Sequence, residues 1–263
     1  MTAPVSHPER LLGIDVSGWQ QPLDWDAAYA DGVRFAFVKS SEWHGQSRRY
    51  VQHTLGAKDA GVIAGPYHFA RMVTKSGNPT NATEQMEKWR ELASQWVPGD
   101  LPPALDCEFG GVRVLRDLPS KPTVAAHLTT FRFGDTWNTY LGPELVADWM
   151  AEALEAADKL FGVSTVLYAG PSFWNGFVQD DRAAAGDRPL WSVDYGREEN
   201  RIGQPDKFGP WNGDWTFWQQ SGSWRADWHK GKLDRNVFNG GLDELLALCG
   251  ITPCVEFGLG DVA

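Results

Sequence analysis

Cysteine is scarce, with only Cys107, Cys249 and Cys254 in 263 residues. Three thiols cannot staple a chain of this size, so a disulfide scaffold is excluded, and an odd number leaves at least one thiol unpaired. Cys249 and Cys254 stand close enough to pair in the tail, and equally well read as two thiols near a chain end. Long apolar runs are missing too: no stretch reaches the roughly twenty residues of a membrane-spanning helix. The polar, proline-bearing start MTAPVSHPER has no apolar stretch of a secretory leader. The expectation is a soluble chain that does not export itself. Positive charge is in deficit, with 24 Lys and Arg against 34 Asp and Glu and a formal net charge of −10. That balance argues against nucleic acid, whose binders carry a basic stripe that releases counterions. The six histidines have no ligand spacing, and Gly-x-Ser-x-Gly, His-Glu-x-x-His and phosphate-loop patterns are all missing. No metal and no cofactor is expected.

What is present is enough for one sizeable core, with 42% hydrophobic residues and 14 tryptophans. Tryptophan suits both cores and stacking on the apolar faces of sugar rings. Short apolar runs alternate with helical patterns. LLGIDVSG (11 to 18), RFAFVKSSE (34 to 42), VIAGPYHFA (62 to 70), LPPALDCEF (101 to 109), STVLYAG (164 to 170), PLWSVDYG (189 to 196), WTFWQQSG (215 to 222) and KLDRNVFNG (232 to 240) read as eight strands. Helical spacing appears over roughly 24 to 31, 47 to 60 and 81 to 96, and from Pro143 to a C-cap at Gly162. Strands joined by crossover helices pair in parallel. The fold class is therefore α/β, a single flattened or incomplete (β/α)8-type barrel with eight mostly parallel strands and fewer than eight long helices. Residues 1–10 read as an N-terminal extension, 11–248 as the barrel and 249–263 as a tail. Between Gly110 and Thr136 no period is convincing, and the segment reads as a long βα loop.

The stretch LPPALDCEFGG carries Asp106 and Glu108 two positions apart at the end of an apolar strand. Alternate side chains share a face, so both acids point one way and Cys107 the other. An uncompensated charge on such a strand is costly, and barrels of this kind build their sites at strand C-termini. Asp15 has the opposite parity to Ile14 and Val16, and Asp234 shares a side with Asn236 in LDRNVF, so both should face inward. Strands one and eight adjoin in a closed barrel, which brings the acids together. For Asp15 or Asp234 alone a cap or a satisfied core bond is an equal reading. Crowded acids raise one another's pKa, so that one stays protonated to donate to a leaving oxygen while another stays charged beside a developing cation.

Taken in order, GIDVSGWQ, FAFVKSSE, GPYHFAR, LPPALDCE, VLYAG, PLWSVDYG, WTFWQQSG and LDRNVFNG resemble the strand motifs of the glycoside hydrolase family 25 lysozymes over residues 11 to 240 or so. The resemblance implies a flattened barrel that cuts the β-1,4 bond between N-acetylmuramic acid and N-acetylglucosamine in peptidoglycan. It implies Glu108 as general acid, Asp106 as the group that orients the substrate's 2-acetamido group in attack on the anomeric carbon, and Asp15 and Asp234 as flanking acids. It further implies Tyr67 and Tyr168 as cleft hydroxyls, and Lys39, Glu42, Trp191, Trp218 and Gln219 at cleft positions, with Trp191 or Trp218 expected to stack on sugar. Two features depart from the family. Its threonine-glutamate-glycine after strand two is here Ser41, Glu42 and Trp43, and the segment from Gly110 looks longer than usual. Asp194 is an extra acid without an assigned purpose.

Two other readings compete: a wall-binding or virion structural module without turnover, and a barrel glycosidase acting on chitin-like chains. The expected partner is peptidoglycan glycan strand, engaged by a monomer. The expected setting is a phage endolysin released from its host, a virion-attached lysin, or a wall enzyme exported by another route.

Overall fold

The computed structural model describes residues 10–178, 188–195, 204–211 and 214–252. Most of the expected N-terminal extension, the end of the tail with Cys254, and Gly196 of the sixth expected strand lie outside the described residues.

All eight expected strands form. They are β1 (Leu11–Val16), β2 (Val33–Glu42), β4 (Ile63–Phe69), β5 (Ala104–Asp106), β9 (Val166–Ala169), β10 (Leu190–Val193), β11 (Phe217–Trp224) and β12 (Leu233–Phe238), with a two-residue β3 (Gly45–Gln46) at the end of β2. Hydrogen bonding runs β1-β12-β11-β10-β9-β5-β4-β2, and β1 pairs with β2 to close the ring. Every neighbouring pair in the ring is parallel except those of β12, which runs antiparallel to both β1 and β11.

The helices are α1 (Trp25–Ala30), α2 (Tyr50–Asp59), α3 (Ala82–Leu92), α4 (Phe109–Val112), α5 (Pro143–Phe161), α6 (Pro171–Phe173), which continues as a π-helical turn over Trp174–Val178, and α7 (Leu242–Leu248). Local chemistry sets their ends. Asp24 and Asn81 cap α1 and α3 by accepting from the backbone N–H of Ala27 and Glu84, each at 2.9 Å. Pro143 opens α5, and Gly162 ends it in the left-handed conformation at φ 74°. Between β9 and β12 the only helical elements among the described residues are α6, its π-helical turn and a 3-10 turn at Gly209–Trp211, so the helical layer is thin there while the ring of strands is complete.

The period-two pattern of the strands sorts residues between two cores. Phe35, Phe37, Tyr67, Tyr168, Trp191, Phe217 and Phe238 fill the barrel interior, where Phe37 stacks on Trp191 at 4.3 Å. Ile14, Val16, Ala36 and Val38 point outward and pack with Trp25, Ala28, Tyr50 and Ala57 of α1 and α2. Leu105, Cys107, Leu167 and Ala169 pack outward among residues of α3 and α5. Among the described residues Cys107 and Cys249 form no disulfide. Gly13 is required by this filling: a Cβ there would sit 2.3 Å from the Phe35 ring.

The segment after Gly110 is not a loop. It forms α4 and then an antiparallel sheet of order β6-β8-β7, built from β6 (Arg113–Leu118), β7 (Leu128–Phe133) and β8 (Thr136–Leu141). Gly134, at φ 58°, and Asp135 make the two-residue turn of its hairpin, where Phe133 pairs with Thr136. Phe131 and Tyr140 anchor the sheet on Phe177, at 5.0 and 4.8 Å between ring centroids. Packing against the π-helical turn, and not helical or strand periodicity over a long window, holds this segment.

Candidate active site

One rim of the barrel collects the acids. In the parallel strands this rim is the C-terminal end, where Asp15 lies next to last in β1 and Asp106 last in β5. Asp234 reaches the same rim from the start of its strand because β12 runs backwards, and it pairs directly with Asp15. A parallel eighth strand would have left Asp234 at the opposite end. Glu108 follows β5 in fully extended backbone, φ −147° and ψ 175°, and is the residue from which α4 begins. Extended geometry from Asp106 through Glu108 keeps both carboxyls on one side and sends Cys107 into the outer core.

Asp15 is only 5% exposed and is held from two directions. Its Oδ2 accepts from Gln219 Nε2 at 2.7 Å and from Asn236 Nδ2 at 2.8 Å. Behind these amides, Trp191 Nε1 donates to Asn236 Oδ1 at 2.8 Å, and the hydroxyls of Tyr168 and Tyr195 donate to Gln219 Oε1 at 2.9 and 2.6 Å. Burial, then the Asp234 charge, push the Asp15 carboxyl well above the usual range against the pull of the two amides. Burial raises Asp234 as well, and the two carboxyls share a hydrogen bond. Such a pair keeps one proton between its members to higher pH than an isolated carboxyl does.

Asp106 and Glu108 are placed differently. Asp106 is 8% exposed, and its Oδ1 is buried without a hydrogen-bond partner. Burial, then the charge of Glu108, raise Asp106 well above the ordinary range. Glu108 is half-buried; burial raises its carboxyl while Lys39, Arg71 and Arg113 draw it back. Glu108 is thus protonated further toward neutral pH than a surface glutamate, the condition for a general acid. Lys39 and Arg71 are fixed by Glu42: Lys39 Nζ lies 2.7 Å from Oε2, and Arg71 pairs with Oε1 through Nε at 2.8 Å. Arg71 also donates to the Gly110 carbonyl at 2.7 Å, which ties this ion cluster to the segment carrying Glu108.

The structure brings Asp15, Lys39, Tyr67, Asp106, Glu108, Tyr168 and Asp234 to the rim. Tyr67 is buried close to all four acids, which together with burial raise its hydroxyl pKa. Three expectations need correction. Trp191 and Trp218 were expected to offer a face for stacking on sugar, but they are 2% and 1% exposed. Trp191 is the floor of the site inside the barrel, and Trp218 points outward, where its Nε1 donates to the Asp194 carbonyl at 3.1 Å. Gln219, expected at a substrate position, is buried and committed to Asp15 and the two tyrosines. Sequence reasoning did not assign Asn236, Tyr195 or Arg71. Asn236 was accessible from its parity with Asp234; Tyr195 and Arg71 just follow strand ends, where no periodicity singles them out. No cluster of three or more potential metal-ligating side chains occurs among the described residues.

A closed α/β barrel with paired carboxyls of raised pKa at one rim, beside a cleft, has the features of a glycoside hydrolase. The family described as Glycosyl hydrolases family 25 matches residues 14–227, and the chain belongs to that family. Lysozyme M1 of Streptomyces globisporus is 30% identical over 245 residues, covering 92% of this chain and 72% of the relative. The N,O-diacetylmuramidase of Arthroderma benhamiae is 25% identical, covering 89% of this chain and 85% of that protein. Among solved structures, the bacterial lysozyme from Streptomyces coelicolor superposes with a TM-score of 0.70 at 27% identity, covering 92% of this chain and 97% of the other. The muramidase from Acremonium alcalophilum superposes at 0.67 with 26% identity, covering 91% and 98%.

Proposed function

We propose that this chain is a lysozyme that hydrolyses the β-1,4 bond between N-acetylmuramic acid and N-acetylglucosamine in bacterial peptidoglycan, with Glu108 as its general acid. The observation that carries the reading is the placement of Glu108 beside Asp106 at the rim of a family 25 barrel, half-buried and with its pKa raised. The names of the lysozyme and muramidase relatives agree with it.

The geometry suits catalysis by the substrate's own acetamide. The acetamido carbonyl oxygen attacks the anomeric carbon as the glycosidic bond breaks, and Glu108 gives its proton to the departing oxygen. Asp106, whose Oδ1 lacks a donor, takes the hydrogen bond of the acetamide N–H and offsets the positive charge of the bicyclic intermediate. Glu108, now a carboxylate, removes a proton from the incoming water, and the sugar leaves with retained configuration. Asp15 and Asp234 hold negative charge and a shared proton below this centre. Lys39 lines the groove on one side of Glu108 and Tyr168 the groove on the other, while Tyr67 is buried among the four acids.

Purified peptidoglycan tests the reading. New reducing ends carrying muramic acid, first formed as the β-anomer, are expected. Reducing ends carrying N-acetylglucosamine would point to a chitin-type specificity, binding without release to a wall-binding module, and an α-anomer would exclude participation by the acetamide. Among the described residues no helix is long and apolar enough to cross a membrane. An activity on the wall fits a monomer that arrives as a released endolysin or as an exported enzyme.

A further inference from the structure

The cleft is electrically lopsided. On one side of Glu108 lies a groove of about 380 Å³ whose charged lining groups among the described residues are Glu108, Asp194 and Asp206. On the other side lies a groove of about 510 Å³ lined by Lys39, Arg48 and Arg71, with Glu42 its one acid among the described residues. In a chain of net charge −10 this excess of cations at one end of a cleft is a local departure from the whole.

The basic groove also carries exposed indoles. Trp19, in the turn after β1, is 84% exposed, and Trp43, after β2, is 43% exposed. Trp43 adopts φ 50°, a left-handed conformation that a bulky side chain rarely takes, so the fold keeps a strained residue in order to present this ring at the groove. The cations are ordered before any ligand arrives. Glu42 pins Lys39 and Arg71, and both lie over the Phe69 ring, at 4.6 and 4.8 Å. Arg48 is anchored by its Nε on the Gly18 carbonyl at 2.8 Å, which leaves its two terminal nitrogens without a carboxylate partner among the described residues. A guanidinium held this way is set to receive a carboxylate in two-pronged fashion.

We propose that this groove binds the peptide stem of the substrate, with Arg48 as the carboxylate receptor and Trp43 as its apolar wall, and thereby favours stem-bearing glycan over bare glycan. The inference rests on the peptidoglycan reading above. N-acetylglucosamine is neutral, and the free carboxylates of this polymer belong to the short peptides hung on the muramic acid lactyl groups. An electropositive pocket beside the general acid therefore matches the stem and not the sugar.

The test compares kcat/KM on soluble peptidoglycan fragments that keep their stems with kcat/KM on the same fragments stripped by an amidase. Arg48→Gln is expected to lower the ratio of stem-bearing to stripped activity at least fivefold, through KM, and Arg48→Lys to recover part of it. Trp43→Gly is expected to lower the ratio by a similar factor with an unchanged or higher melting temperature, because glycine accepts the positive φ, so misfolding does not account for the loss. Equal losses on both substrates would assign the groove to the glycan itself, whose lactyl carboxylates the amidase leaves free, and overturn the proposal, as would no change on either. Absence of reducing-end release by the wild type from both substrates would remove the muramidase reading itself, and this proposal with it.

Discussion

The two pairs of acids at the rim are built to opposite plans. Asp15 is saturated: two amides grip it, and a tryptophan and two tyrosines grip the amides. Asp106 has an oxygen with no donor, and Glu108 is steered by an ion cluster and not clamped by hydrogen bonds. A carboxyl whose acceptor capacity is filled by the protein sets a field and a proton count. One whose capacity is unfilled costs free energy until a ligand supplies the missing donor. The lesson is that four acids gathered in one cavity do not do one job; their hydrogen-bond partners divide them.

Glu108→Gln breaks this comparison most severely. Rates of turbidity loss on wall suspensions should fall at least about a hundredfold while circular dichroism stays unchanged, the range expected for removing a general acid. Asp106→Asn should lower kcat by about ten- to a hundredfold, with the retained anomer still formed in the residual reaction. Equal tolerance of both changes would erase the difference between the pairs.

Asp15→Asn addresses the saturated pair through pH. Asp15 and Asp234 hold protons to higher pH folded than unfolded, so their contribution to stability is fully present below the ordinary carboxyl range and is lost as pH rises through their raised folded-state values. Glu42, held below its ordinary value by its hydrogen bonds to Lys39 and Arg71 against the upward push of burial, works in the other direction and is untouched by the substitution. The melting temperature of the wild type should therefore fall more steeply from mildly acid to alkaline pH than that of Asp15→Asn, by a few degrees. Parallel curves would show that the pair carries no shared proton.

Asn236→Ala removes a donor from Asp15 and an acceptor from Trp191 at once. Denaturant unfolding should report a loss of about 1–3 kcal/mol for each group left without a partner. The smallest effect concerns the surface. With a net charge of −10, repulsion from teichoic acids at low salt should ease as salt rises, and lysis of such walls should increase by less than about threefold. Flat or falling activity would show that the basic groove, and not the net charge, governs the encounter.

Much of this was legible beforehand. Short apolar runs bounded by turn residues sufficed to predict the eight strands, and period-two alternation to face Asp15, Asp106 and Asp234 inward and to send Cys107 out. The end signals of α5, Pro143 and Gly162, stood where they function. The sheet after α4 was missed because the sequence from Gly110 to Thr136 shows no convincing period, and its clearest local sign was the Gly134-Asp135 turn alone. Trp191 and Trp218 were misjudged because indole suits a sugar face and a core equally, and composition cannot tell which face a ring presents.

By itself, then, the sequence determined which side chains lie on which face of each strand and where helices begin and end, because those are rules of backbone period and local capping. Only the tertiary structure decided that β12 runs backwards and so delivers Asp234 to the rim, that Gln219 and Asn236 are spent on Asp15, and that cations gather on one side of Glu108 and acids on the other. Those outcomes depend on contacts between residues up to 221 positions apart, as between Asn236 and Asp15, and on which groups close the barrel leaves dry. No local period encodes either.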